Sequence, residues 1–138
     1  MDGETRKLIM LIEDDSNMVG LLRESLQASG FNVLAYYSVE EAIRVLRHRR
    51  PDLIILDIIM PGMNGMTFLK MIKTEVKPRI PILVHSGISD PEKIIADESV
   101  DAFVPKGLNA SILINVIRQL LSNAAAEAAE STPTEPAT

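Results

Sequence analysis

Leu53-Ile54-Ile55-Leu56-Asp57-Ile58-Ile59-Met60-Pro61-Gly62-Met63-Asn64-Gly65 is the stretch on which the reading of this chain turns. Four aliphatic residues in a row, without polar alternation, mark a strand buried on both faces of a parallel sheet. The run stops on an acid, Asp57. A loop rich in Pro and Gly follows, since neither residue continues a strand or a helix comfortably. Beyond it, Phe68, Leu69 and Ile72 recur at helical spacing and form the inner face of a helix.

The same alternation of strand and helix runs through the chain. Leu8 to Ile12 is a continuous apolar strand that ends in Glu13 and Asp14. Asp15 or Ser16 caps the helix that follows, with Val19, Leu22 and Leu26 inward and Gly30 at its carboxyl end. Val33 to Tyr36 reads as a second strand. Ser38 and Glu41 form a capping box for a helix that turns Ala42, Ile43, Val45 and Leu46 inward, and Pro51 closes that segment. Ile82 to His85 is a fourth strand. Asp90-Pro91-Glu92 predicts a short helix with Asp90 as cap and Pro91 at its first position. Ala102 to Val104 is a fifth strand. The last helix carries Ile112, Leu113, Val116, Ile117, Leu120 and Leu121 as one apolar stripe. The alanines after Ser122 extend it, and from about Ser131 disorder is expected, because nothing there buries enough surface to offset ordering entropy. Residues 1–122 are read as one domain and 123–138 as an Ala-, Glu-, Thr- and Pro-rich extension.

Five βα units call for an α/β fold, a doubly wound parallel sheet with helices on both faces. Its common strand order is 2-1-3-4-5, and ligands bind outside the carboxyl ends of the strands. The polar residues at those ends are Glu13 and Asp14 (strand 1), Asp57 (strand 3), Ser86 (strand 4) and Lys106 (strand 5). In that order they surround one crevice. Two carboxylates ~4 Å apart repel by about 4 kcal/mol at an effective dielectric near 20. Such a group is either partly protonated or holds a cation. Mg²⁺ suits it, as a hard ion that takes oxygen ligands and works with phosphates. Lys106 supplies positive charge on the other side of Asp57. A carboxylate held between a hard cation and a lysine can attack a phosphoryl group.

Glu13-Asp14 after an apolar strand, the stretch from Leu56 to Gly65, Ser86-Gly87 after the fourth strand and Lys106 after the fifth together resemble bacterial response-regulator receiver domains, including those of the chemotaxis-regulator kind. The resemblance covers about residues 7–122, and Met60-Pro61 with Asn64-Gly65 is its most specific part. It implies the flavodoxin-like (βα)₅ fold and a place in a two-component phosphorelay. Asp57 is then the acceptor of a phosphoryl group from a sensor histidine kinase, a phosphotransfer protein or a small phosphodonor. Asp14, Asp57 and the backbone carbonyl of Ile59 bind Mg²⁺, with Glu13 acting through a metal-bound water. Lys106 pairs with the phosphoryl group, Ser86 moves to hydrogen-bond it, and Phe103 holds the aromatic switch position. Catalysis is confined to the domain's own phosphorylation and dephosphorylation. A downstream protein partner is expected on the face formed by the fourth helix, fifth strand and fifth helix.

The chain departs from the family pattern in three places. Gly107, not Pro, follows Lys106, so a cis bond at 106–107 is not assumed. Phe103 has no hydroxyl, leaving only a steric switch. Ile59 and Ile88 occupy the positions that flank the hydrolytic water, and two isoleucines predict slow autodephosphorylation.

Composition bears on the competing readings. There is no cysteine, so thiol nucleophiles and zinc thiolate sites are out. With 19 acidic and 14 basic residues, the net charge of −5 argues against direct nucleic-acid binding, and an aromatic fraction of 4% against base stacking. The apolar run at Leu8 is too short to span a membrane, and the start lacks a secretory signal, so a cytoplasmic protein is expected. A Mg²⁺ phosphatase with an aspartate nucleophile would need a second Asp where Ile59 stands. An FMN carrier would not place Glu13-Asp14-Asp15 in its phosphate loop. A docking module without phosphorylation is the remaining alternative. Arg47-His48-Arg49-Arg50 is read as cations offsetting a helix dipole, His85 as a strand residue packed on a helix, and Met60, Met63, Met66 and Met71 as filler.

Overall fold

The structure is a computed structural model, described here for residues 6–59 and 65–131. Ten elements alternate: β1 (Leu8–Ile12), α1 (Ser16–Ala28), β2 (Asn32–Tyr36), α2 (Val39–Leu46), β3 (Leu53–Leu56), α3 (Gly65–Glu75), β4 (Ile82–Ser86), α4 (Glu92–Ala96), β5 (Ala102–Pro105) and α5 (Ala110–Ser131). The five strands form one parallel sheet in the order β2-β1-β3-β4-β5. This is the flavodoxin-like doubly wound arrangement expected from the sequence.

Period-two alternation along the central strands divides the core in two. Ile9, Leu11, Leu53, Ile55, Leu83 and Val104 face α1 and α5, packing on Val19, Leu22, Leu26, Leu113, Ile117 and Leu120. Met10, Ile12, Ile54, Leu56, Ile82 and Val84 face α2, α3 and α4, packing on Val39, Ala42, Phe68, Leu69, Ile72 and Ile94. All four residues of β3 are fully buried. Each such aliphatic side chain contributes about 1.5–3 kcal/mol of transfer free energy, so β3 is the best-anchored point from which to hold Asp57.

Local signals act where the sequence placed them. Asp15 caps α1, accepting from the backbone N–H groups of Asn17 and Met18. Gly30 follows that helix with φ +100°, a left-handed conformation that suits glycine. Ser38 accepts from the N–H of Glu41 at 3.2 Å, and the Glu41 carboxylate accepts from the N–H of Tyr37 at 3.1 Å. The box therefore closes one residue earlier than the usual motif.

Several expectations change; β2 begins one residue earlier, at Asn32, and β4 runs one further, through Ser86. Pro91, not Asp90, is the N-cap of α4, with no side-chain cap bond; Pro91 sits at φ −86°, ψ 5°, outside the helical geometry of a first helical residue. On α5, Ile112 is exposed and Ile114 is buried instead. The helix packs against both α1 and β5, so its buried stripe is rotated from the one the apolar residues alone suggest. The β5 strand runs one residue further, through Pro105, which an edge strand tolerates because it owes no further ladder bond. The 106–107 bond is not cis; among the described residues the cis peptide is Lys77–Pro78. Met66 and Met71 pack against the second core as filler, whereas Met60 and Met63 lie outside the described residues. The alanines do extend α5, to Ser131; residues 132–138, where disorder was expected, are not among those described.

Candidate functional site

The carboxyl ends of β1, β3, β4 and β5 converge because these strands are neighbours in the sheet. Asp57 follows β3 directly, and its N–H donates to the carbonyl of Ile12 at 3.0 Å, so the ladder holds the residue rather than a free loop. Its side chain is buried. Oδ1 accepts from the backbone N–H of Ile59 at 3.0 Å, and Oδ2 accepts from Lys106 Nζ at 2.8 Å. The β5–α5 connection turns at Gly107, φ +96°, immediately after Lys106. The Lys106 N–H donates to the Ser86 carbonyl at 3.1 Å, which ties the lysine to the end of β4.

Lys106 also meets Glu13, Nζ to Oε1 at 2.9 Å. Glu13 is 1% exposed, and its other oxygen accepts from the N–H of Asp15 at 3.2 Å. Burial pushes the Glu13 carboxyl above its ordinary range and the nearby Asp57 charge adds to this, while the bonds to Lys106 and Asp15 offset part of it. Burial pulls the Lys106 ammonium down, yet its bonds to Asp57 and Glu13 outweigh that and hold its pKa above the ordinary lysine value. Lys106 is therefore a firm cation bridging two buried carboxylates.

Asp14 is exposed and completes the acidic group: one oxygen from each of Glu13, Asp14 and Asp57 lies within 4.8 Å of the others. The donors are all carboxylate oxygens, and one lysine balances three of them. That leaves a surplus of negative charge at an opening to solvent, which fits a hard divalent cation and not a soft one.

The remaining residues named from the sequence are arranged more loosely. Ser86 is fully buried and its Oγ makes no hydrogen bond. An unsatisfied buried hydroxyl costs free energy and is available to a further acceptor. Phe103 is half-buried against the second core, two strands away from Asp57 with β4 between them. Ile59 is 57% exposed beside Asp57, and Ile88 packs against the second core.

Two features were missed. The Glu13–Lys106 ion pair had no signal in the sequence, since the two lie at opposite ends of the chain and the reading gave Lys106 only Asp57. His85 was read as packing on a helix, and it is buried, but its Nδ1 has no partner. Burial first, then the Lys106 charge, lower its pKa to about 4. The alternation that puts Leu83 on the α1/α5 side also puts His85 there, and this much was readable.

The geometry can be set beside known proteins. The chain is 33% identical over 114 residues to the transcriptional regulatory protein CpxR of Klebsiella pneumoniae, covering 82% of this chain and 48% of CpxR. It is 30% identical to AfsQ1 of Streptomyces coelicolor over 125 residues, 89% of this chain and 55% of AfsQ1. It thus spans about half the length of these relatives. Among solved structures, the response regulator TrrA of Thermotoga maritima in complex with Mg²⁺-BeF superposes with a TM-score of 0.76 at 29% identity, over 83% of this chain and 98% of TrrA. A receiver-domain protein of Methanospirillum hungatei shares the fold with a TM-score of 0.82 at 21% identity, over 89% and 99%. The response regulator receiver domain model matches residues 9–118, taking in Glu13, Asp14, Asp57, Ser86 and Lys106. The cluster of Glu13, Asp14 and Asp57 matches the phosphoacceptor and Mg²⁺ site of receiver domains, and the chain belongs to the response regulator receiver domain family.

Proposed function

We propose that Asp57 accepts a phosphoryl group from the phosphohistidine of a sensor kinase or a phosphotransfer protein, and that the resulting change is read by a protein partner. The observation that carries this is Lys106 Nζ on Asp57 Oδ2, beside the carboxylate oxygens of Glu13 and Asp14. An Asp57 oxygen bonds to phosphorus as the P–N bond to the donor imidazole breaks, and the imidazole takes a proton from water. Lys106 moves from the carboxylate to the transferred phosphoryl oxygens. The Ser86 hydroxyl, now without a partner, donates to the same group. Phe103 then repacks against the space that Ser86 leaves. Asp14, Asp57 and the Ile59 carbonyl would hold Mg²⁺, the ion present in the TrrA complex, with Glu13 acting through a bound water. When bound, the ion neutralises charge on the phosphoryl oxygens. The face of α4, β5 and α5 is the output surface. Among the described residues no helix is long and apolar enough to cross a membrane, and we place the domain in the cytoplasm.

The test is intact mass after incubation with acetyl phosphate and Mg²⁺. One added phosphoryl group is expected in the parent, and none in Asp57→Asn or with excess chelator. If histidine-kinase donors fail as well, the domain is a docking module.

Dephosphorylation follows from the same site. Ile59 and Ile88 carry no group that can orient an attacking water. Replacing both with Asn and Glu respectively is expected to shorten the phosphoryl lifetime by about a hundredfold, the lower end of what a positioned general base contributes. An unchanged decay rate would remove these two residues from the account.

A further inference from the structure

Residues 44–50 and 70–79 carry eight of the 14 Lys and Arg residues against a single acid, Glu75, in a chain of net charge −5. The fold brings the two stretches together. The carboxyl ends of α2 and α3 meet beside the amino ends of β3 and β4, around a depression of about 320 Å³. Arg47, Arg49, Arg50 and Lys77 form its rim together with the one acid, Glu75, and all five are exposed, leaving a rim charge of about +3. Its floor is apolar, with Ile80 buried and Val76 half-buried. Arg50 donates to the Arg79 carbonyl at 3.1 Å, which orients one guanidinium over the rim and leaves its other donors available. Offsetting the dipole of α2 takes about half a charge, which one of these cations already exceeds.

We propose that this depression docks an acidic peptide segment of a partner protein, one in which Asp or Glu residues flank a single apolar side chain. The rim matches the acids and the floor matches the apolar side chain. A nucleic-acid backbone offers phosphates but no side chain for that floor. Membrane insertion needs large apolar residues around the cations, and the exposed ones among the described residues (Leu21, Tyr37, Ile59, Ile95, Leu108 and Ile112) lie in other segments. The chain's own residues 132–138 contain one acid, Glu135, and no large apolar residue. The depression lies at the amino ends of the strands, the pole opposite Asp57. A segment bound there leaves the phosphoacceptor open, so it tethers the domain in both phosphorylation states.

The experiment titrates the ¹⁵N-labelled full chain with a synthetic peptide of Asp and Glu residues around one Leu, followed by amide shifts. Shifts are expected to cluster on residues 46–50 and 75–80 and to weaken as NaCl is raised. Replacing the peptide's Leu with Ser is expected to weaken binding severalfold. The variant Arg47→Glu/Arg49→Glu is expected to weaken it by about tenfold while accepting phosphate from acetyl phosphate at the parent's rate, which shows that it is folded. Shifts elsewhere on the surface, equal binding of the Leu and Ser peptides, tighter binding of duplex DNA at the same residues, or no loss in the charge-reversed variant would each overturn the proposal.

Discussion

Lys106 shows how one side chain can hold a site ready. It balances two buried carboxylates, and its own charge is secured by them. The charge reaches further, to His85, whose imidazole is buried and kept neutral with a pKa of about 4. In the unfolded chain an ordinary histidine titrates near 6.5. Between these two values the unfolded chain therefore binds the extra proton and the folded one does not, so stability rises with pH across the window. Going from pH 7.5 to pH 5, His85 is expected to remove about 2 kcal/mol of stability. Urea unfolding of the parent and of His85→Leu at both pH values checks this. The variant should lose less stability on acidification, by roughly that amount. Parallel losses in the two proteins would mean that the imidazole is solvated and titrates normally.

At the scale of the element, a glycine sets how closely α3 approaches the site. A Cβ at Gly65 would stand 3.0 Å from Ile58 Cδ1 and 3.1 Å from Ile58 Cα. The backbone atom cannot move without moving the turn that joins Asp57 to Ile59. Gly65→Ala is expected to cost about 1–3 kcal/mol, as overpacking does, and to slow phosphorylation from acetyl phosphate, because the Ile59 N–H that orients Asp57 Oδ1 shifts with it. Equilibrium unfolding and the rate of mass gain measure the two effects separately. An Ala variant that is as stable and as fast as the parent would place no demand on Gly65. The sequence announced this element, and the buried faces of α1 and α3, through apolar spacing; it read Gly65 as the end of the loop, whereas α3 begins there. It was less informative where tertiary packing decides. On α5 every position from Ile112 to Ile114 is apolar, so hydrophobicity could not choose the stripe, and contact with α1 and β5 did. At α4, Asp90 and Pro91 carry the residue types of a helix start, but the helix is five residues long and its geometry begins one residue later.

The molecule as a whole is organised by the direction of its strands. Parallel strands put every carboxyl end at one pole, so the polar residues of four strand ends far apart in sequence become neighbours, and alternation of strand and helix was enough to foresee it. Distances and ion pairing were not foreseeable, because Glu13 and Lys106 meet only through the register of β1, β3, β4 and β5. The other pole raises a question of extent. Helix α5 runs to Ser131, yet among its residues of described burial, which reach 129, the buried ones stop at Leu120, with Leu121 half-buried. Past that point Ala124 is half-buried and Asn123 and Glu127 are exposed; with Ala128 they border the surface near Pro78, Arg79 and Pro81, and Asn123 accepts from Gln119 at 3.0 Å. Little apolar area is at stake there, and an exposed surface segment contributes within about 0.5 kcal/mol. Deleting residues 123–138 is therefore expected to lower Tm by no more than about 4 °C and to leave the rate of Asp57 phosphorylation unchanged. Calorimetry and the acetyl phosphate assay on the shortened chain decide it. A drop of more than about 10 °C, which corresponds to well over 1 kcal/mol in a domain of this size, would make the last turns of α5 part of the receiver core and move its boundary beyond residue 122.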